Sequence, residues 1–136
     1  MGDRPLSIFQ VSGRAMSAQL VRMNTTASNL ANAGTVASSS QAAYRTMKPV
    51  FRTHFDDASG MSTVDVEQIV TAGPEPTKRY DPGNPMADKD GNVWESAVNE
   101  TQELVDMLET ARSYQNNVEV MQTAKQLIVD TLKLGR

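Results

Sequence analysis

NTTASNLANAGTV, residues 24–36, decides how this chain is read. Leu30 and the alanines form an apolar stripe at helical spacing, and Gly34 suits the left-handed position that follows a last helical turn. A helix that buries one stripe and shows its other face to water carries Lys and Glu on that face. This one carries none: between Arg22 and Arg45 there is no charged side chain. Such a surface is made to meet protein, with amides and hydroxyls hydrogen-bonding across a contact.

Upstream, Ser7 and Gln10 have capping-box spacing and Leu6 can staple onto Val11, so a helix is expected from Ser7 to Gly34. Within it Phe9, Gly13, Met16, Leu20, Met23, Ala27 and Leu30 recur at alternating steps of four and three, a heptad seam. Its residues are small or flexible, which favours close, adaptable packing. A second helix is expected after Asn99, a cap with Gln102 at its third position and Glu100, Glu103 and Asp106 near the positive end. Its seam is Leu104, Met107, Ala111, Tyr114, Val118, Met121, Ile128 and Leu132, with Lys125 the one charged interruption. Lys133 and Arg136 sit at the far end, where the helix dipole favours cations. Two seams at opposite ends of a chain most simply lie against each other.

The middle is different material. Thr35 to Ala43 reads as a polar linker, and Tyr44 to Phe55 as an edge strand containing Pro49. The run 56–60 has turn chemistry, and Val64 and Val66 alternate with polar residues in a strand over 61–70. A rigid loop follows at 81–85, and Asp90-Gly91 predicts a hairpin turn leading into Val93-Trp94. The expected fold is α+β, with long heptad helices at both ends packed as a helical hairpin or coiled coil. A small β-rich domain is inserted between them, and the ends are disordered in the free subunit. The divisions are 1–34 and 99–136 for the helices that assemble and 35–98 for the linker and β unit.

Composition narrows the function. The 136 residues are 39% hydrophobic but only 5% aromatic, which limits the core, and the formal charge of −3 gives no footprint for nucleic acid. Absence of cysteine excludes disulfides and thiolate metal sites. No apolar run is long enough for membrane insertion, and the amino terminus lacks the pattern of a cleaved signal. His54 is the only histidine, so neither a multi-histidine metal site nor a Cys-His dyad is available in one chain. Asp56 and Asp57 are neighbours in a turn. Asp88, Asp90 and Asn92 imitate the opening of a calcium loop, but Val93 stands where it needs glycine and Asn99 where it needs glutamate. With no phosphate loop or nucleophile elbow, the expectation is no enzyme, no cofactor, no metal and no small-molecule substrate.

Three further stretches carry a family resemblance. Residues 12–35, SGRAMSAQLVRMNTTASNLANAGT, resemble the amino-terminal signature of bacterial flagellar rod and hook proteins, and Ser28, Asn29, Leu30, Ala31 and Asn32 are its most telling part. YDPGNPMADKDGNV at 80–93, with Tyr80, Pro82, Gly83, Asn84 and Pro85, is similar to proximal rod members of that axial family. So is RSYQNNVEVMQTAKQLIVDTLKLG at 112–135, with Ser113, Tyr114 and Gln115; Asn117 replaces a common alanine there.

The resemblance implies a structural axial subunit of the flagellar basal body, exported by the flagellar type III apparatus without a cleaved signal. It implies polymerisation in the periplasm, with itself and with the rod proteins FlgB, FlgF and FlgG, next to the rod-base protein FliE and the MS-ring. The product would be a helical tube that surrounds the export channel and transmits torque. One other reading stays open on the residues alone, a soluble coiled-coil adaptor that binds one partner helix; a hydrolase using Asp56, Asp57 or His54 serves only as a contrast.

Overall fold

The computed structural model describes residues 7–135. The proposed Leu6 staple and the Arg136 charge lie outside the described residues. The chain runs α1 (Ile8–Ala31), β1 (Val36–Ala37), β2 (Met47–Asp56), β3 (Met61–Thr71), β4 (Thr77–Tyr80), β5 (Asn92–Glu95) and α2 (Glu100–Leu134). It is the α+β arrangement expected: long helices at the two ends and antiparallel strands between them.

Both helices start where side chains replace missing backbone partners. The Gln10 N–H donates to Ser7 Oγ at 3.3 Å, and the Ser7 N–H donates back to Gln10 Oε1 at 2.9 Å, closing the capping box. At α2 the Gln102 N–H donates to Asn99 Oδ1 at 3.1 Å. Glu100 and Glu103 lie in its first turn and Lys133 in its last, each on the side the dipole favours. Gly34 has φ +71, the left-handed geometry that turns the chain out of α1. The helices are antiparallel: Ile8 lies beside Leu127, and Asn29 beside Glu103.

The strands form two small sheets. β2 and β3 pair as an antiparallel hairpin with an irregularity between Val50 and Phe51, closed by a turn at 57–60 with Gly60 at φ +67. In a two-stranded sheet every strand has a free edge, so Pro49 costs no essential ladder bond. Among elements, α1 packs on β2, β3 and α2, while α2 packs on α1.

The second sheet, in order β1-β5-β4, departs from the sequence reading in three places. The polar linker contains a strand, because Val36 and Ala37 pair with Glu95 and Trp94. Thr77–Tyr80 is a strand although all its residues are exposed and none alternate. Asp90-Gly91 does not join two strands directly; it closes a loop over 81–91 that returns β5 to β4. The Asp81 N–H donates to the Gly91 carbonyl at 2.9 Å and the Asp88 N–H to the Asn92 carbonyl at 2.8 Å. Asp88 Oδ1 accepts the N–H groups of Asp90 and Asn92, both at 2.9 Å, so this carboxylate organises a turn.

Buried apolar residues among the described ones are Ala18, Ala37, Ala43, Val93 and Ala124. They are small, and Asn29 and Thr110 are buried as completely as Val93. Specific hydrogen bonds therefore carry much of what large side chains carry in other folds.

Gly91 has φ +75, and a Cβ there would stand 3.0 Å from Pro82 Cβ and from Tyr80 Cε2. Gly91→Ala should lower unfolding free energy by about 1–3 kcal/mol through left-handed strain and crowding. A melt monitored at Trp94 checks this, and an unchanged midpoint would contradict it.

Candidate assembly surfaces

α1, β2 and α2 meet at one side chain. Asn29 Nδ2 donates to the Met47 carbonyl and to Glu103 Oε2, each at 2.9 Å. Its Oδ1 accepts the Met47 N–H at 2.9 Å and the Tyr44 hydroxyl at 2.8 Å. Two donors and two acceptors are the whole capacity of an amide, and all are used. Asn29 pairs with the Met47 peptide group on both of its polar atoms, as a neighbouring strand would. This is the answer to the uncharged helix: part of its surface meets protein inside the same chain. It also removes Asn29 from any surface that faces solvent or a channel.

Glu103, 2% exposed, is held from two sides. Asn29 takes one oxygen, and Lys48 Nζ donates to the other at 2.9 Å and to Asp106 Oδ2 at 2.8 Å. Gln102 Nε2 donates to the second Asp106 oxygen at 2.9 Å. Burial pushes the Lys48 amine down, but hydrogen bonds to Asp106 and Glu103 outweigh it and leave the pKa above the usual lysine value. The hydrogen bond from Lys48 holds Asp106 below the usual carboxylate value, against burial and with help from Gln102.

The α1-facing stripe of α2 has its own period. Glu103, Thr110 and Ala124 are buried and Asn117 half-buried, one every seven residues, with Met107, Tyr114 and Met121 half-buried beside them. The polar members satisfy themselves locally: Thr110 Oγ1 donates to the Asp106 carbonyl at 2.6 Å and Asn117 Nδ2 to that of Ser113 at 3.0 Å. The expected seam is turned by about one residue from this stripe. Of its α2 members, Met107, Ala111, Tyr114, Val118 and Met121 are half-buried, while Leu104, Ile128 and Leu132 are 54%, 47% and 67% exposed. On α1, Phe9, Met16, Met23 and Leu30 are half-buried, while Gly13, Leu20 and Ala27 are exposed. Counting apolar side chains found the neighbouring stripe because the buried one is half polar. The seven-residue spacing of Glu103, Thr110, Asn117 and Ala124 is the signal that marks it.

The motif residues divide into braces and bare surface. Ser28 Oγ accepts the Tyr44 hydroxyl at 3.4 Å, and its carbonyl accepts Asn32 Nδ2 at 2.9 Å. Asn84 ties the 81–91 loop, donating to Asp81 Oδ2 at 3.2 Å and accepting the Met86 N–H at 2.9 Å. Pro82, Gly83, Pro85, Ala31 and Gln115 are exposed, and Tyr80 is 71% exposed. Ser113 and Tyr114 are half-buried. His54 and Asp57 are exposed near the hairpin turn, and Asp56 Oδ2 accepts the Ser59 hydroxyl at 2.5 Å.

Past Lys125 every described residue of α2 is exposed, including Leu127 at 62% and Leu134 at 88%. Aliphatic side chains at that density make this end of α2 a candidate interaction surface.

Comparison with known proteins agrees with the geometry. Residues 9–36 match the family described as flagella basal body rod protein, and residues 89–134 match the flagellar basal body rod FlgEFG protein C-terminal family. A flagellar basal-body rod protein FlgC of Yersinia enterocolitica is 41% identical over 132 residues, covering 96% of this chain and 98% of that one. The FlgC of Salmonella typhimurium is 39% identical over 133 residues, with 96% and 98% covered. That of Agrobacterium fabrum is 33% identical over 132 residues, with 96% and 95% covered.

Asn29→Ala leaves the Met47 peptide group and a buried Glu103 oxygen without partners. Unfolding free energy should fall by about 3 kcal/mol, measured by urea denaturation. The pH dependence follows from the shifted groups. Asp106, depressed, contributes stability that is present above its usual pKa of 3.8 and lost as pH falls through the lower folded value. Lys48, raised, contributes below its usual 10.5, and this is lost as pH rises through the higher folded value. Asp106→Asn should therefore flatten the acid limb of stability against pH, and an unchanged acid limb would count against the Lys48–Asp106 pair.

Proposed function

From membership of the FlgC family of flagellar basal-body rod proteins, to which this chain belongs, we propose how it serves the rod. It is a structural subunit of the flagellar rod, located in the basal body and associated with other rod components. Its task by our reading is mechanical and not catalytic. Exported through the flagellar type III apparatus, it joins FlgB, FlgF and FlgG above FliE and the MS-ring. The segments 1–34 and 99–136 do the assembling, and 35–98 forms the small outer unit.

One observation carries this reading: the last described turns of α2 leave Leu127, Ile128, Leu132 and Leu134 uncovered. On an isolated chain these side chains meet water. In a tube of many subunits they pack, and twisting the tube must shear those contacts apart, which is how torque passes. In the free subunit the last turns of α2 have little to hold them against the entropy of fraying, and they order on assembly. An adaptor that binds one partner helix has no specific observation in its favour.

Because Ile128 and Leu132 are exposed in the subunit, replacing them tests assembly separately from folding. Ile128→Asp and Leu132→Asp should leave the melting midpoint within a degree or two, since exposed changes cost roughly 0.5 kcal/mol or less. The same variants should abolish swimming and yield basal bodies lacking structures beyond the proximal rod, because a charge must then be buried unpaired in each contact. His54→Ala should swim normally. Swimming by the seam variants together with paralysis of His54→Ala would overturn the mechanical reading.

A further inference from the structure

The two helices are held unequally. Among the elements, α1 packs on β2, β3 and α2, whereas α2 packs on α1 alone and is touched from β2 by the reaching Lys48. The hairpin follows α1 from Asn29 back to Arg14. Asn29 bonds the Met47 peptide group at one end, and the Arg22 guanidinium stands 4.8 Å over the centre of the Phe51 ring. At the other end Arg14 Nη1 donates to Asp65 Oδ2 at 3.1 Å. That pair is exposed and adds little strength, but it marks how far the hairpin runs beside the helix. All of these contacts lie within residues 8–71.

α2 is tied only at its beginning. Glu103 accepts from Asn29 and Lys48, and Asp106 accepts from Lys48. Beyond Asp106, no hydrogen bond or ion pair joins α2 to another element among the described residues. Thr110, Asn117 and Thr131 bond carbonyls of their own helix instead. What remains is contact between half-buried side chains such as Met107, Tyr114, Val118 and Met121. Methionine adapts to a neighbour that moves and does not hold it in one place.

We propose that α2 is a strap, pivoted where Glu103 and Asp106 meet Lys48, that opens and closes on a platform of α1 and the β2–β3 hairpin. The platform keeps its shape without the strap, because the hairpin still covers one side of α1 over 14–29. Opening starts at the Ala124 end, where no polar contact resists it, and runs toward the pivot. The strap belongs to the single subunit, whatever that subunit assembles with.

Hydrogen exchange of the purified full-length chain, read by mass spectrometry, tests it. Amides of 14–29 should exchange about tenfold more slowly than those of 110–130. Thr110, fully buried, and Ala124, 8% exposed, lie on the stripe that faces α1. Thr110→Lys and Ala124→Asp each put a charge into that contact and should release α2. Exchange over 110–130 should then rise about tenfold, while 14–29 and the second sheet stay within about twofold of the unaltered chain. Phe51→Ala should instead speed exchange over 18–26 several-fold. Equal exchange of the two helices in the unaltered chain overturns the strap. So does α1 losing protection in step with α2 in either charge variant, or unfolding of the whole chain there, since a platform that needs α2 is not one. Indifference of α1 to Phe51→Ala overturns the part given to the hairpin.

Discussion

Asn29 cannot be served by water where it lies, and every one of its hydrogen-bonding positions is filled from a different part of the chain. Tyr44, the Met47 peptide group and Glu103 are set 15, 18 and 74 residues away from it in sequence. A buried amide with one partner missing costs about 1–3 kcal/mol, so the three segments are placed together or not at all. Met47 begins β2, so pairing its peptide group with Asn29 fixes where the β2–β3 hairpin starts relative to α1. Glu103 stands in the first turn of α2, so its bond fixes the register of the helix pair. Lys48, the residue after Met47, then closes the ring by neutralising Glu103 and reaching Asp106. Ion pairs elsewhere, such as Arg14 with Asp65 or Arg45 with Glu75, are exposed and add little to this placement.

A core of alanines explains why such a ring is needed. Ala18, Ala37, Ala43 and Ala124 each bury little area, and a few small side chains do not distinguish one helix register from the next. Hydrogen bonds do, because they fail when displaced by an ångström or two. The larger apolar side chains are left half-covered or bare on the helices instead. Material that a self-sufficient domain would put inside is held at the surface. The subunit is specified by polar contacts within, and in the assembly proposed above apolar contacts hold its members together.

What could be read from the sequence follows the range of each signal. Caps, the left-handed Gly34 and the turn before Gly60 are local chemistry, and they stand where the residues placed them. The β2–β3 hairpin was legible from Val64 and Val66 alternating with polar neighbours. β1 was not, since two residues paired to a distant strand leave no period to detect. β4 was not, since Thr77–Tyr80 owes its pairing to the 81–91 loop folding back on itself. The helix contact was displaced by one residue because Glu103, Thr110 and Asn117 are polar, and an apolar count passes over them. Asn29 stood in the stretch that first marked the helix as unusual. Its partners could not be named from the sequence, because nothing in it says which distant carbonyl an amide will meet.

The 74 residues between Asn29 and Glu103 also set a clock. Under the export proposed above, with the amino end leading through the channel, α1 is released long before the carboxylate that completes its junction. Until about three-quarters of the chain is out, α1 has Tyr44, β2 and β3 to pack on, and the helix pair has no second member. Contacts of such long separation form slowly, since a large loop must close before they return any stability. The first helix to emerge is the last to be committed. During that interval it is free to find a surface other than its own, and in the proposed rod a neighbouring subunit offers one.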